Sequence, residues 1–291
     1  MFLENIKEAI TSIFSNKMRS VLTMLGIIIG ISAVITITTI GNSIQTTLTS
    51  TLNSLGGNTV QAYVDARYPE DDADWDTWEY PEMKTSDFVT QEMIDELVEK
   101  YPDEFDGIAA SEFLGNGQIR QDKNTYANVS VQGTTSEYID YMKLKMYAGR
   151  NLTKQDNKTK KNVCIVADTM AKQYFGDENP IGEQITYADS DGNLYNFTIV
   201  GIYEYNAALF GKVDTSVPEK DRYTTMFIPI QTCFKLMGKD QSGYTIFNLM
   251  VNSLADIDQA TTDVTNFFEE KYANNENFHV TTYNMASDMG M

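Results

Sequence analysis

The sequence predicts an α+β protein on a membrane anchor. It reads as an N-terminal amphipathic helix, one long transmembrane helix running on into a stalk, and a mixed α+β extracytoplasmic body. Three observations predict this. No charged residue occurs from Ser20 to Val64. Positive charge precedes that run and is absent after it until Arg67. Beyond it, strand-like and helix-like segments are interspersed and separated by turn residues.

The span comes first. Val21 to Ile40 reads VLTMLGIIIGISAVITITTI. Twenty mostly apolar residues at 1.5 Å per residue cover about 30 Å, the hydrocarbon thickness of a bilayer. A buried helix of a soluble protein is usually shorter and keeps a polar face. A cleavable signal has an apolar core of about 7–15 residues, whereas this stretch is longer and continues as a helical pattern. The reading is therefore an uncleaved anchor. Lys7, Lys17 and Arg19 precede it, so the positive-inside rule puts the N-terminus in the cytoplasm and the body outside the cell membrane.

Two flanking segments extend the span. Phe2, Ile6, Ala9, Ile10 and Ile13 share one helical face, with Glu4, Lys7, Glu8 and Ser12 elsewhere around it. That pattern predicts an amphipathic helix on the inner leaflet over residues 1–20. After the span, Ile37, Ile40, Ile44, Leu48, Leu52 and Leu55 recur every three or four residues among uncharged polar ones, and Gly56-Gly57 ends the run. Residues 21–56 thus read as one helix leaving the bilayer as a stalk, with an apolar stripe that calls for a partner helix. Gly26 and Gly30, with Ala33 near the same face, give the small-residue spacing at which membrane helices approach closely.

Charge and composition limit the body. The chain has 291 residues, with 22 Lys and Arg against 41 Asp and Glu, for a formal charge of −19. The first twenty residues carry a net +1, so the remainder carries −20. Such a surface repels phosphates, which excludes a sequence-independent nucleic-acid binder. A hydrophobic fraction of 42% supports a real core. With one histidine and two cysteines, neither a His-rich metal site nor a disulfide framework can form. Cys164 and Cys233 lie in apolar runs and read as buried free thiols.

Along the body, residues 58–64 read as a strand. The loop 68–81 holds Glu70, Asp71, Asp72, Asp74, Asp76 and Glu79 around Trp75 and Trp78. It lacks the glycine and closing glutamate of an EF-hand, so a solvated loop is preferred to a calcium site. Its exposed tryptophans are candidates for contact with a partner or ligand. Thr85–Tyr101 reads as a helix with Thr90 as N-cap, and 107–133 as two or three strands with a hairpin near 121–124. Residues 136–147 hold a short helix. NVCIVAD is a buried strand, and Asp168 is placed to cap the helix after it. DSDGN at 189–193, between two strand patterns, is a hairpin rather than a calcium loop. TTMFIPI, TIFNLMVN and FHVTTYN are strands, QTCFKLMG a short helix, and 256–272 a helix with Ile257, Val264, Phe267 and Phe268 inward.

Chemistry leaves few traces. There is no H-E-x-x-H, no G-x-S-x-G and no phosphate loop, so this chain does not hydrolyse ATP through a P-loop. A thiolate paired with His279 is disfavoured, because both cysteines sit in apolar segments and His279 in an alternating strand reads as a surface residue. No catalytic residue, metal or cofactor is assigned.

The order of these parts carries a resemblance. Asn16, Lys17, Arg19, Ser20, Leu22, Thr23, Leu25, Gly26, Ile27 and Gly30 resemble the first-span pattern of MacB/FtsX-like permease subunits of ABC transporters. YMKLKMYAGRNLTKQD resembles that family's segment ending in a Gly-Arg turn. VCIVADTMAKQYFGDENPIGEQI resembles its F-G-x-x-x-P-I-G stretch through Phe175, Gly176, Pro180, Ile181 and Gly182. The resemblance covers essentially the whole chain.

The resemblance implies four membrane helices with the outside domain between the first and second, so that the chain reads as the N-terminal part of a permease. It implies a core domain over 57–288 in two lobes, 57–110 with 230–288, and an inserted 111–229. It implies a partner ATPase subunit that binds the ATP, a second permease copy, and a membrane-fusion or adaptor protein. ATPase closure would pass through the first span and stalk to the body, for export of drugs, peptides or lipoproteins. Asn16, Lys17 and Arg19 would be the coupling end. Gly26, Gly30 and Ala33 would pack the span, and Ile44, Leu48, Leu52 and Leu55 the stalk. Alternatives are a single-span sensor, an FtsX-like regulator of wall hydrolases and a tethered hydrolase using unrecognised carboxylates. The acidic body and its many Asn, Asp and Tyr residues are compatible with a Gram-positive surface.

Overall fold

The computed structural model describes residues 4, 6, 8, 17–54, 58–69, 78–121, 125–206, 209–210, 216–238 and 243–284. The chain forms two compact units, Met1–Ser54 and Leu55–Met291.

The first unit is dominated by α1, Lys17–Ser54, a single helix of 38 residues. At 1.5 Å per residue it is about 57 Å long. Its stretch Lys17–Gly41 is long and apolar enough to cross a membrane, with a mean hydropathy of 2.4 in its most apolar window, and none of it is buried. Three of its hydroxyls are satisfied within the helix. Thr23, Thr36 and Thr38 donate their hydroxyls to the carbonyls of Arg19 (2.8 Å), Ser32 (2.8 Å) and Val34 (3.0 Å). Such back-bonding is what a hydroxyl needs where water is absent. Residues 4, 6 and 8 are helical and exposed, and the rest of the expected inner-leaflet helix lies outside the described residues.

The second unit begins with β1 (Thr59–Ala66), a 3-10 turn at Thr85–Asp87 and α2 (Gln91–Lys100). Then come β2 (Phe105–Ala109), β3 (Ser111–Arg120), β4 (Tyr126–Thr134), the short α3 (Tyr138–Tyr141), β5 (Met146–Gly149) and α4 (Lys154–Lys158). They are followed by β6 (Val163–Ala167), α5 (Asp168–Phe175), β7 (Gln184–Asp189), β8 (Leu194–Tyr203), β9 (Thr224–Pro229) and α6 (Ile230–Leu236). The unit closes with β10 (Ile246–Val251), α7 (Ile257–Lys271) and β11 (Phe278–Asn284).

Two sheets organise these elements. One has four antiparallel strands in the order β11-β1-β10-β2. The alternation of β1 decides its faces: Val60, Ala62, Val64 and Ala66 are buried, and the residues between them are half-exposed. The buried face meets α2 and α7 through Leu97, Phe247, Phe268 and Phe278. Phe267 and Phe268 meet edge to face at 5.2 Å.

The other sheet has seven strands in the order β5-β8-β6-β9-β4-β3-β7, and β7 also pairs with β8. Six of its strands therefore close into a ring, with β5 attached outside β8. The β4–β9 and β6–β8 pairs are parallel. β6 is buried at every residue, as a strand covered on both faces must be. The ring holds its own core, including Ile165, Phe197, Tyr203 and Phe227. The β7–β8 turn is the expected hairpin: Asp189 Oδ1 accepts from the amides of Asp191 (2.9 Å) and Asn193 (2.8 Å), and Gly192 takes a φ of +86°.

The two sheets meet where the chain passes between them. Thr135 bonds the backbone of Ala110 and Ile108. α6 contributes Ile230 and Phe234 to the first core and Cys233 to the second. Gly133 lies against this helix so closely that a Cβ there would sit 2.2 Å from Cys233 Cβ.

Within the fold, the following expectations need correction. The helix expected over Thr85–Tyr101 is divided. Thr90 caps α2 by accepting from Met93 N, and the residues before it turn at Asp87 and bridge Val89 to Tyr244. Asp87 forces the turn by accepting from Lys84 N at 2.7 Å. Asp168 is not the N-cap of α5 but its first residue, and its Oδ1 accepts from Thr169 N and Tyr205 N. His279 is half-buried rather than a surface residue: its Nε2 pairs with Thr281 Oγ1 at 3.1 Å, and its Nδ1 is enclosed.

Candidate functional site

The residues singled out from sequence fall in separate places. Lys17 and Arg19 are exposed at the start of α1. Gly26, Gly30 and Ala33 follow one another along one face, and a Cβ at either glycine would meet nothing within 4 Å. Small residues at this spacing let helices approach closely. Ile44, Leu48 and Leu52 are in the helix, but their side chains lie outside the described residues, as do Asn16, Leu55 and Trp75.

Trp78 is half-buried, not exposed. Its ring lies 5.1 Å from that of Tyr68 and 5.9 Å from that of Tyr80, and Tyr80 meets Phe278 of the four-stranded core at 6.2 Å. The aromatic chain anchors the end of the acidic loop to the sheet. Residues 70–77 of that loop lie outside the described residues. Among the described residues no group of three His, Cys, Asp or Glu side chains could hold a metal.

Neither cysteine is in a disulfide, and both are buried. Burial pushes the Cys164 thiol far above its ordinary value, so it stays protonated and inert. Cys164 is in the seven-stranded sheet and His279 in the four-stranded one, so the two do not form a nucleophile–base pair.

The structure adds a feature the sequence did not reveal. A cleft of about 1070 Å³ opens beside the seven-stranded sheet, between α5 with its following turn and the segment Glu219–Thr224. Tyr147 of β5 and Tyr205, just after β8, complete it. Its walls are braced. Gln173 Nε2 donates to the carbonyls of Tyr126 (2.7 Å) and Lys220 (2.9 Å). Asn128 Nδ2 donates to the Asp221 carbonyl at 2.7 Å, and the Tyr126 hydroxyl donates to the Asp221 carboxylate. That bond to Asp221 raises the Tyr126 pKa above its ordinary value. Tyr205 is held by its amide on Asp168 at 3.0 Å and by a parallel stack on Phe210 at 5.6 Å.

Inside this frame Tyr147 is 71% and Tyr223 51% exposed. Asp168 and Arg222 are engaged locally, the latter on the Val217 carbonyl at 3.0 Å. Lys172, Lys220, Asp177, Glu178 and Glu219 stand exposed on the walls. Periodicity could not have found this site, because its residues come from positions 127 to 224 and meet only when the ring of strands closes.

An apolar helix long enough to span a bilayer, joined to a two-sheet α+β body, has the form of a membrane-anchored extracytoplasmic domain. The chain belongs to the MacB-like periplasmic core domain family, whose model matches residues 20–267. It is 25% identical over 213 residues to the macrolide export ATP-binding/permease protein MacB of Neisseria gonorrhoeae, covering 73% of this chain and 30% of that protein. It is 26% identical over 278 residues to the uncharacterized ABC transporter permease YknZ of Bacillus subtilis, covering 96% of this chain and 63% of that one. The chain therefore spans less than two thirds of the length of either relative. The fold is shared with the crystal structure of the periplasmic region of MacB from Actinobacillus actinomycetemcomitans, at a TM-score of 0.50 and 15% identity over 82% of this chain and 94% of that one. It is shared equally with the extracellular domain of the noncanonic ABC-type transporter YknZ, at 0.50 and 18% over 77% and 100%.

Proposed function

We propose that this chain is the part of a permease subunit that carries motion from a cytoplasmic ATPase to an extracytoplasmic domain. The observation that carries the reading is α1, one helix of 38 residues that runs from a basic end through the apolar stretch into a polar one. An unbroken packed element transmits displacement where a flexible linker would absorb it. The N-terminus lies in the cytoplasm and the body outside the cell membrane. Asn16, Lys17 and Arg19 face the ATPase subunit, which binds the ATP. Gly26, Gly30 and Ala33 pack the span, and Ile44, Leu48, Leu52 and Leu55 pack the stalk against a neighbouring helix or the second permease copy. Export, with drugs, peptides or lipoproteins as cargo and an adaptor as a further partner, is the process this motion would drive.

The body works as two lobes, 57–110 with 230–288, and 111–229. What supports this division is that the four-stranded sheet draws its strands from the first set and the seven-stranded sheet from the second.

The test is a distance measurement. The whole permease is reconstituted in nanodiscs with its ATP-binding-cassette subunit, and spin labels are placed at Ser253→Cys in both copies. ATP is expected to change the label separation. The double substitution Gly41→Pro and Ser43→Pro is expected to abolish that change while ATP hydrolysis continues. No change in the unmodified helix defeats the reading, and an undiminished change in the proline variant shows that α1 is not the link.

A further inference from the structure

We propose that the cleft between α5 and Glu219–Thr224 binds a neutral oligosaccharide. Its size is the first argument. At about 1070 Å³ it meets or exceeds the ~300–1,000 Å³ typical of pockets for drug-sized molecules. A small organic molecule would leave much of it to water, so the ligand is extended.

The aromatic rings are the second. Tyr147 and Tyr223, both in the lining, keep 71% and 51% of their surface exposed. Each offers a rigid apolar ring with a polar tip. A sugar ring matches that pair, because its C–H face stacks on an aromatic and its hydroxyl edge takes hydrogen bonds.

Charge is the third. Across the chain, acids outnumber bases 41 to 22. On the cleft walls the exposed set is Lys172 and Lys220 against Asp177, Glu178 and Glu219. Neither sign dominates, so a polyanion or polycation meets repulsion along with attraction. Hydroxyl groups use both kinds of side chain, accepting from ammonium groups and donating to carboxylates.

An extended peptide is the rival, and the backbone argues against it. An extended peptide that adds to a sheet is held by main-chain bonds to a free strand edge. Here the amides of Asp221 and Arg222 are taken by Pro218 and Glu219, and the carbonyls of Tyr126 and Lys220 by Gln173. The nearby edge strand, β5, has four residues and a register shift beside Tyr147. Recognition therefore passes through side chains.

The experiment needs no ATP and no ATPase, so its failure leaves the coupling reading untouched. The full chain in lipid nanodiscs is titrated with chitotetraose, cellotetraose and maltotetraose. Binding is followed by calorimetry and by saturation transfer from protein to sugar protons. At least one tetrasaccharide is expected to bind saturably, with contact on its C–H protons. Tyr147→Ala and Tyr223→Ala should each weaken binding about tenfold, the loss of one stacked ring. Tyr283→Ala, an exposed tyrosine of the other sheet, should leave it unchanged. Raising salt from about 0.05 M to about 0.5 M should change affinity by less than about twofold, since no net charge is neutralised. The proposal fails if none of the three sugars binds, or if binding survives the double tyrosine variant. It fails too if a Lys- and Phe-containing hexapeptide binds with the same dependence on Tyr147 and Tyr223 and displaces the sugar.

Discussion

Asp156 illustrates how much one side chain can hold. It is 1% exposed, yet it accepts from Arg150 Nη1 at 2.6 Å, from Thr153 Oγ1 at 2.7 Å and from Thr153 N at 3.0 Å, with Lys161 3.6 Å away. It thereby fixes the loop between β5 and α4. Burial opposes its ionisation, but the bonds from Arg150 and Thr153 win and hold its pKa down to about 2. A carboxylate lowered by folding stabilises the folded state above its ordinary value, and that contribution fades as pH falls toward the folded value. Asp156→Asn should cost about 2 kcal/mol at neutral pH, the worth of charge-assisted bonds, read as a lower denaturation midpoint. The difference from the parent should shrink between about pH 4 and pH 2. A gap that persists at pH 2 would refute the linkage. The cysteines give a second test at this scale. Both should resist iodoacetamide in the folded chain and react in strong denaturant, as followed by mass spectrometry. Labelling of Cys164 in the folded state would contradict its burial.

At the scale of elements, α1 shows environment overriding propensity. Its Ile, Val and Thr residues are indifferent helix formers in water. In a bilayer every backbone group must be bonded within the segment, which leaves the helix as the solution. Gly26→Leu with Gly30→Leu should reduce cross-linking between neighbouring copies carrying a cysteine at Ile27, whereas Ile29→Leu should not. Equal cross-linking would mean the glycine face makes no contact. In the body, the cap of α2 was readable because capping is local chemistry, and the structure adds a like cap on α7. Thr90 accepts from Met93 N, and Asp256 Oδ1 accepts from Asp258 N and Gln259 N. Thr90→Ala should cost about 1 kcal/mol in unfolding free energy. The helix expected from Thr85 begins only at Gln91, because the stretch before it turns at Asp87, which tertiary partners hold: Asn275 donates to its carboxylate and Tyr272 to its carbonyl.

At the scale of the whole molecule, the orientation can be checked directly. With the native thiols buried, Ser253→Cys should react with a membrane-impermeant maleimide on intact cells, and Lys17→Cys only after the membrane is opened. The reverse pattern would invert the assigned topology.

The sequence by itself determined the long apolar N-terminal helix, the α+β class, nearly every strand and the buried state of both thiols. These rest on hydropathy length, two-residue alternation and local turn chemistry, all of which act over a few neighbours. Only the tertiary structure decided that β7, beyond its hairpin with β8, also pairs with β3, that Trp78 docks on the four-stranded core, and that α5 and Glu219–Thr224 enclose a cleft. Those features join residues tens of positions apart. Strand pairing and side-chain packing settle them together, and no periodicity within a single segment encodes which distant edge it will meet.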